Sequence, residues 1–178
     1  LVINTSGTLN ASLPAVRADG TQLELHLSTH LSADVWVVEL RLQVEKTTLP
    51  YRDGKAGDVL RLPAGGEVSL LSPHLEDRPD ASKGPTRLWL AELNLPSPLL
   101  PYLEQHGYPI RYSYVKEHWP LSYYQTVYAT EPGSAEMPSA GRPFSAELVT
   151  RLVGRGVAFA PFVLHCGVSS PEAHEPPM

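Results

Sequence analysis

Two short stretches gather residue types that can do chemistry. The first is His165-Cys166-Gly167-Val168-Ser169-Ser170, which follows the apolar run Val157 to Leu164. An imidazole there could carry a proton or donate a hydrogen bond to a ligand, with Gly167 permitting close backbone approach. The alternative is a core histidine satisfied by a carbonyl. The second stretch is Met137-Pro138-Ser139-Ala140-Gly141, ahead of a helix that Ser145 should cap. Backbone N–H groups there could hold an anion or a carboxylate, or the segment is an ordinary loop into a helix. Its spacing is neither a P-loop nor a dinucleotide fingerprint. Glu172, His174 and Glu175 could join His165 around a metal, but the ligand spacing is missing; we expect a solvated tail and no metal. Ser169 and Ser170 lack the G-x-S-x-G elbow of a serine hydrolase. Arg111, Tyr112, Tyr114, Lys116 and Trp119 interleave basic and aromatic groups. Such a strip can stack bases and contact phosphates, or it can pack between domains.

The elements that would position these groups fall into two kinds. Over the first hundred residues the patterning has period two: Leu23, Leu25 and Leu27; Val38, Leu40, Leu42 and Val44; Leu60 and Leu62; Val68 and Leu70; Leu88 and Leu90 around Trp89. Each run should lay one face on a core. Asp19-Gly20, Asp53-Gly54 and Gly65-Gly66 supply turn signals between runs. Five or six short strands at this spacing predict a small antiparallel barrel or sandwich, with a long polar hairpin loop over Ser72 to Pro85. The period then changes. Ser97-Pro98 should start a short helix with Leu99, Leu100 and Leu103 as its apolar stripe and Gly107 at its end. Tyr123 to Ala129 reads as strand or helix. A helix after Ser145 should turn Leu148, Leu152 and Val153 inward and end at Gly154 or Gly156. The run Val157 to Leu164 predicts a strand buried on both faces, and in α/β folds ligands sit beyond the carboxyl ends of strands.

Composition bounds the function. Leu, Ile, Val and Phe make up about 26% of the 178 residues, enough for a folded core. Prolines number 18 and the net charge is −5, which describes a loop-rich chain and not a generic nucleic-acid coat, although a local basic patch is compatible with it. A single cysteine, Cys166, allows no intrachain disulfide and no cysteine-built zinc site. No apolar run nears the roughly 20 residues of a membrane span. We expect a cytoplasmic protein. Leu1 is not an initiator methionine and already reads as strand, so a piece of a longer chain is expected.

Four linked blocks say more. Tyr124-Gln125-Thr126-Val127-Tyr128-Ala129, Glu131-Pro132-Gly133-Ser134-Ala135, Pro138-Ser139-Ala140-Gly141 and Leu164-His165-Cys166-Gly167 come in one order. The string resembles the S-adenosylmethionine:tRNA ribosyltransferase-isomerase family of queuosine biosynthesis, with its Y-Q-T-V-Y-A, E/N-P-G-A/S-V, P-T-A-G-L-H-F and L-H-V-G-x-G-T-F blocks. Leu1-Val2-Ile3-Asn4-Thr5 is similar to the family's L-V-x-N-D-T segment. The resemblance implies a fold of α/β plus β class, a small antiparallel β-barrel inserted into an α/β barrel-like domain of which only part is present. The division would be 1–10 and 113–178 for the α/β pieces and 11–112 for the barrel. It implies transfer and isomerisation of the ribosyl group of S-adenosylmethionine onto a 7-deazaguanine of tRNA, releasing adenine and methionine. Carried over by motif, His165 is the acid/base or ligand-orienting group, Pro138, Ser139, Ala140, Gly141 and Gly167 line the donor site, and Tyr124, Gln125 and Thr126 support it. Arg111, Tyr114 and Lys116 would face the tRNA, and a monomer is expected. Two departures fall inside the implied pocket. Arg142-Pro143-Phe144 stands where the family has L-H-F, and Val168-Ser169-Ser170 where it has G-T-F. A divergent enzyme with a small-molecule acceptor, or a barrel that binds and catalyses nothing, are the alternatives.

Overall fold

The structure, a computed structural model, describes residues 1–44, 47–74, 86–111, 115 and 117–168. Its centre is a closed antiparallel barrel. Strands β3 (Ser12–Arg17), β4 (Gln22–Ser32), β5 (Val35–Val44), β7 (Val59–Arg61), β8 (Glu67–Pro73) and β9 (Leu88–Asn94) run in the order β4-β3-β7-β8-β9-β5, and β5 pairs back onto β4 to close the ring. A short β6 (Thr47–Pro50) pairs with β5 beyond the point where β9 stops. Closure leaves no open edge along the ring. Leu25, Leu27, Val38, Leu40, Leu60, Val68 and Leu70 fill the interior, as the period-two runs predicted, together with Leu13, whereas Val44 at the end of β5 is exposed.

Two local expectations are corrected. In β9 the inward face is Trp89, Ala91 and Leu93, not Leu88 and Leu90, because the register sets Trp89 opposite Val38, Ala91 opposite Leu70 and Leu93 opposite Val68. Asp53-Gly54 makes no tight hairpin. The left-handed residue of that loop is Gly57, with φ +90°. Gly54 instead lets the loop lie against Leu40, Leu70 and Trp89, which an added Cβ would meet at 3.3 Å. Asp19-Gly20 does form the β3–β4 turn, with Gly20 at φ +88°. The β4–β5 turn puts Ala33 at φ +47°, and no glycine marks it. β8 and β9 are antiparallel neighbours as a hairpin requires; residues 75–85 of the predicted loop lie outside the described residues.

The outer face of the barrel carries a buried charge cluster. His26 on β4 faces Ser12 on β3 and Glu39 on β5 in the ladder. Arg41 Nη1 donates to Glu39 Oε1 at 3.0 Å and Arg87 Nε at 2.8 Å, while Arg41 also donates to Thr48 Oγ1 and Thr48 O. Glu39 is 1% exposed. Burial alone would raise its carboxyl, but His26, Arg87 and Arg41 overcome that and hold it down to about 2. Burial likewise pushes the His26 imidazole down, and the carboxylates of Glu24 and Glu39 more than reverse it. At 3.5 and 3.7 Å from those carboxylates the ring is held by charge, not by well-formed hydrogen bonds.

Helix α1 (Leu99–His106) sends Tyr102 and Leu103 into the core, and Tyr102 Oη donates to Pro63 O at 2.6 Å. Its cap is Pro98 without a side-chain bond, so Ser97 does not cap it. The remaining strands come from both ends of the chain. β1 (Val2–Asn4) is parallel to β11 (Ala160–Phe162), and β2 (Ser6–Thr8) is parallel to β10 (Glu131–Ser134). Helix α2 (Ala146–Gly154) lies between β10 and β11 in the chain and is capped by Ser145 Oγ, which accepts from Leu148 N–H, but it buries none of its residues and leaves Val153 exposed where an inward face was expected. The expectation of a strand buried on both faces fails here. β11 is three residues long and exposed, with Val163 and Leu164 beyond it also exposed, because among the described residues no layer packs over them. Tyr123 to Ala129 is neither strand nor α-helix. A 3₁₀ turn over Leu121–Tyr124 leads into an irregular bend.

Candidate functional site

The strip that leaves β11 is held at several points. Asn4 receives Leu164 N–H on Oδ1 at 3.0 Å and donates Nδ2–H to Leu164 O at 2.8 Å, so a side-chain amide does the work of a neighbouring strand. Cys166 O accepts from Ala135 N–H at 2.7 Å, and Cys166 N–H donates to Ser134 Oγ at 3.0 Å. Val168 N–H donates to Ser28 Oγ on β4 at 2.8 Å. Gly167 is what permits that docking. A Cβ there would sit 2.7 Å from both Ser28 Oγ and Thr29 Oγ1. The strip thus ties the parallel strands to the barrel.

His165 sits at the centre of this arrangement. Its Nδ1 is 2.7 Å from Ser6 Oγ, and Ser6 Oγ is 2.6 Å from Ser134 Oγ. The ring packs onto the backbone of Gly133, where a Cβ would lie 2.3 Å from Cε1. Nε2 has no partner among the described residues. His165 lines a cleft of about 570 Å³ between the barrel and β10, whose other walls include Thr29, Trp36, Leu93 and Gly133. A second cleft of about 540 Å³ lies along β1 and the Pro138–Gly141 turn. It is lined by Pro138, Ser139, Ala140, Gly141 and Gly167, together with the rings of Tyr128, Phe144 and Phe162.

So the structure brings Pro138, Ser139, Ala140, Gly141 and Gly167 together and sets His165 on the neighbouring cleft. Phe162 and His165 meet along a shallower groove that also touches Thr5 and Pro132. In and just after the Pro138–Gly141 turn, three N–H groups are used internally. Gly141 N–H bonds Pro138 O, Arg142 N–H bonds Ser139 O, and Phe144 N–H bonds Gly141 O. Thr126 buttresses the turn, since a Cβ on Gly141 would meet Thr126 Cγ2 and Tyr128 Cε2 at 2.9 Å. Tyr124 and Gln125 hold β2 instead. Gln125 Oε1 accepts from Thr8 N–H and its Nε2–H donates to Thr8 O, each at 2.9 Å, and Tyr124 O accepts from Thr8 Oγ1–H. Arg111 lies on the barrel side, near enough to Glu24 to help hold that carboxyl down. Tyr112, Tyr114, Lys116, Ser169, Ser170, Glu172, His174 and Glu175 lie outside the described residues. Asn4, Ser6 and Gly133 are the site residues that motif reasoning passed over. The signal available for them was adjacency. Ser6 follows the matched Leu1–Thr5 segment, and Gly133 and Ser134 sit inside a matched block.

A closed barrel joined to short parallel strands, with an imidazole-bearing strip at the junction, is an α/β-plus-barrel protein with its clefts at that junction. Comparison with known proteins gives the family. The profile described as queuosine biosynthesis protein matches residues 1–176, and the chain belongs to that family. An S-adenosylmethionine:tRNA ribosyltransferase-isomerase of Thermotoga petrophila is 33% identical over 174 residues, covering 96% of this chain and 45% of its own length. A protein of that name from Thermus thermophilus is 30% identical over 188 residues, covering 98% and 49%. The chain thus spans about half the length of these relatives. A crystal structure of an S-adenosylmethionine tRNA ribosyltransferase from Thermotoga maritima overlays with a TM-score of 0.35 at 19% identity, over 93% of this chain and 40% of that one. Among the described residues no helix is long and apolar enough to cross a membrane.

Proposed function

We propose that this chain is the barrel-bearing part of an enzyme that transfers and isomerises the ribosyl group of S-adenosylmethionine onto a 7-deazaguanine of tRNA. In this reading residues 1–10 and 113–178 belong to the α/β domain and 11–112 to the inserted barrel. S-adenosylmethionine is consumed as a substrate. The observation that carries the reading is the placement of His165, in a chain of this family, with Nδ1 tied to Ser6 and Nε2 open at the wall of a cleft of about 570 Å³. The neighbouring cleft, formed by Pro138, Ser139, Ala140, Gly141 and Gly167, suits the donor. The aromatic faces of Tyr128, Phe144 and Phe162 favour a sulfonium cation electrostatically. The sulfonium acidifies the adjoining C5′–H, and departing adenine needs hydrogen-bond or proton donation at a ring nitrogen. His165 is the group we assign to ligand orientation or proton transfer, with Thr126, Tyr124 and Gln125 as supports. Arg111, Tyr114 and Lys116 are assigned to the tRNA side.

The test is adenine release by the intact protein given S-adenosylmethionine and precursor-bearing tRNA. Release that requires that tRNA, and that falls at least about a hundredfold in His165→Ala, is the expected result. Release that ignores tRNA but requires a small amine would transfer the reading to an altered acceptor, which the Pro143 and Val168-Ser169-Ser170 departures would accommodate. No donor binding and no release would leave a binding module.

A further inference from the structure

Ser6 and Ser134 are fully buried, and together they offer two hydroxyl protons to three acceptor atoms: Ser134 Oγ, Ser6 Oγ and His165 Nδ1. The direction of the chain is set at one end. Cys166 N–H can only donate, and it donates to Ser134 Oγ. If Ser134 then donates to Ser6 and Ser6 donates to Nδ1, every buried hydroxyl proton has an acceptor. If the chain runs the other way, from Nδ1–H to Ser6 to Ser134, then Ser134 Oγ accepts twice and its own proton has no acceptor among the described residues. Leaving a buried donor unmet weights the second arrangement down by about fivefold or more.

We propose that Ser6 and Ser134 are positioning residues that fix neutral His165 as the Nε2–H tautomer, so that it meets the cleft as a hydrogen-bond donor and not as a base. The open choice between proton acceptor and donor is thereby decided by two buried serines that line neither cleft. The group that Nε2–H would recognise is an unprotonated nitrogen or a carboxylate oxygen. A ring nitrogen of a nucleobase is the first kind, and this part of the inference rests on the proposed function. The tautomer itself does not.

The measurement is long-range ¹H–¹⁵N NMR of the intact protein at alkaline pH, where imidazole is neutral. The chain has seven histidines, so the His165 signals are assigned by their loss in His165→Gln. The expected spectrum shows His165 protonated at Nε2. Ser6→Ala should move it toward a mixture of tautomers with an unchanged circular dichroism spectrum, and Ser6→Thr, which keeps the hydroxyl, should restore the original pattern. A His165 protonated at Nδ1 in the unmutated protein, or a tautomer indifferent to Ser6→Ala, overturns the proposal. The unmutated spectrum decides the matter even if Ser6→Ala does not fold. With substrates present, Ser6→Ala should lower kcat about tenfold with little change in KM. An unaltered kcat beside a shifted tautomer would count against the proposed reaction and not against the relay.

Discussion

Leu25 in the barrel and Leu164 beyond β11 are the same residue type, and Leu164 ends the more continuously apolar run, yet Leu25 is fully buried and Leu164 is 59% exposed. The difference lies in what the backbone around them has closed. The barrel pairs β5 back onto β4, so inward side chains meet one another across the ring and the outer face can hold charges that neutralise one another. Among the described residues the parallel strands pair two by two, and the apolar face of α2 buries no residue. The site sits at the seam. Its imidazole comes from the open region, while Gly167 and Val168 anchor that region to Ser28 of the closed one.

The sharpest way to break this contrast is to unbalance the barrel's outer face. Glu39→Gln removes the carboxylate that Arg41 and Arg87 share and leaves the buried Arg41 guanidinium and the partly buried Arg87 guanidinium facing a neutral amide. Removing one partner of a buried ion pair costs about 3–5 kcal/mol. Chemical denaturation should show a loss of that size. A loss under about 1 kcal/mol would mean that the cluster is solvated and contributes little to the barrel.

The same cluster predicts a pH window. The Glu39 carboxyl titrates at about 2 when folded against an ordinary 4.5, so its contribution is complete above pH 4.5 and disappears as pH falls from there toward 2. That difference corresponds to about 3 kcal/mol. His26 is displaced the other way. Its folded value lies above the ordinary 6.5, so its contribution is complete below pH 6.5 and disappears as pH rises through the folded value. Stability from these two groups is therefore greatest between pH 4.5 and 6.5. Thermal unfolding followed across pH should fall on both sides of that window, and Glu39→Gln should flatten the acid side. An acid limb unaffected by Glu39→Gln would assign it to other carboxylates.

Legibility in the sequence divides along the same seam. Alternation exposed the barrel because a closed sheet with one dry face imposes period two on every strand, and Asp19-Gly20 announced its turn. Leu88 and Leu90 misled because the first half of β9 is apolar on both faces, and only the register against Val38, Leu70 and Val68 chooses Trp89. The buried outer charges were illegible for a related reason: Glu24, His26, Glu39 and Arg41 look like an ordinary solvated face until the neighbouring strands bring them together. At the candidate site, motif order pointed to His165, Gly141 and Gly167, but it could not place His165 and the Pro138–Gly141 turn on separate clefts, because that depends on how an extended strip alternates its side chains. Nor could it find Ser6, whose meaning comes from a partner 159 positions away.

The smallest predicted effect tests the open region directly. Val153 on α2 is 57% exposed, so truncation removes little buried apolar area and leaves no cavity. Alanine is also the better helix former, because a β-branched side chain loses rotamer freedom against the preceding turn. The two effects together predict that Val153→Ala in the 178-residue chain leaves unfolding stability unchanged or raises it by up to about 0.5 kcal/mol. The corresponding Leu25→Ala change in the barrel should cost about 2–5 kcal/mol. A loss above about 1 kcal/mol for Val153→Ala would mean that α2 packs its apolar face after all. The contrast between a closed barrel and an open strand pair would then have to be redrawn around that helix.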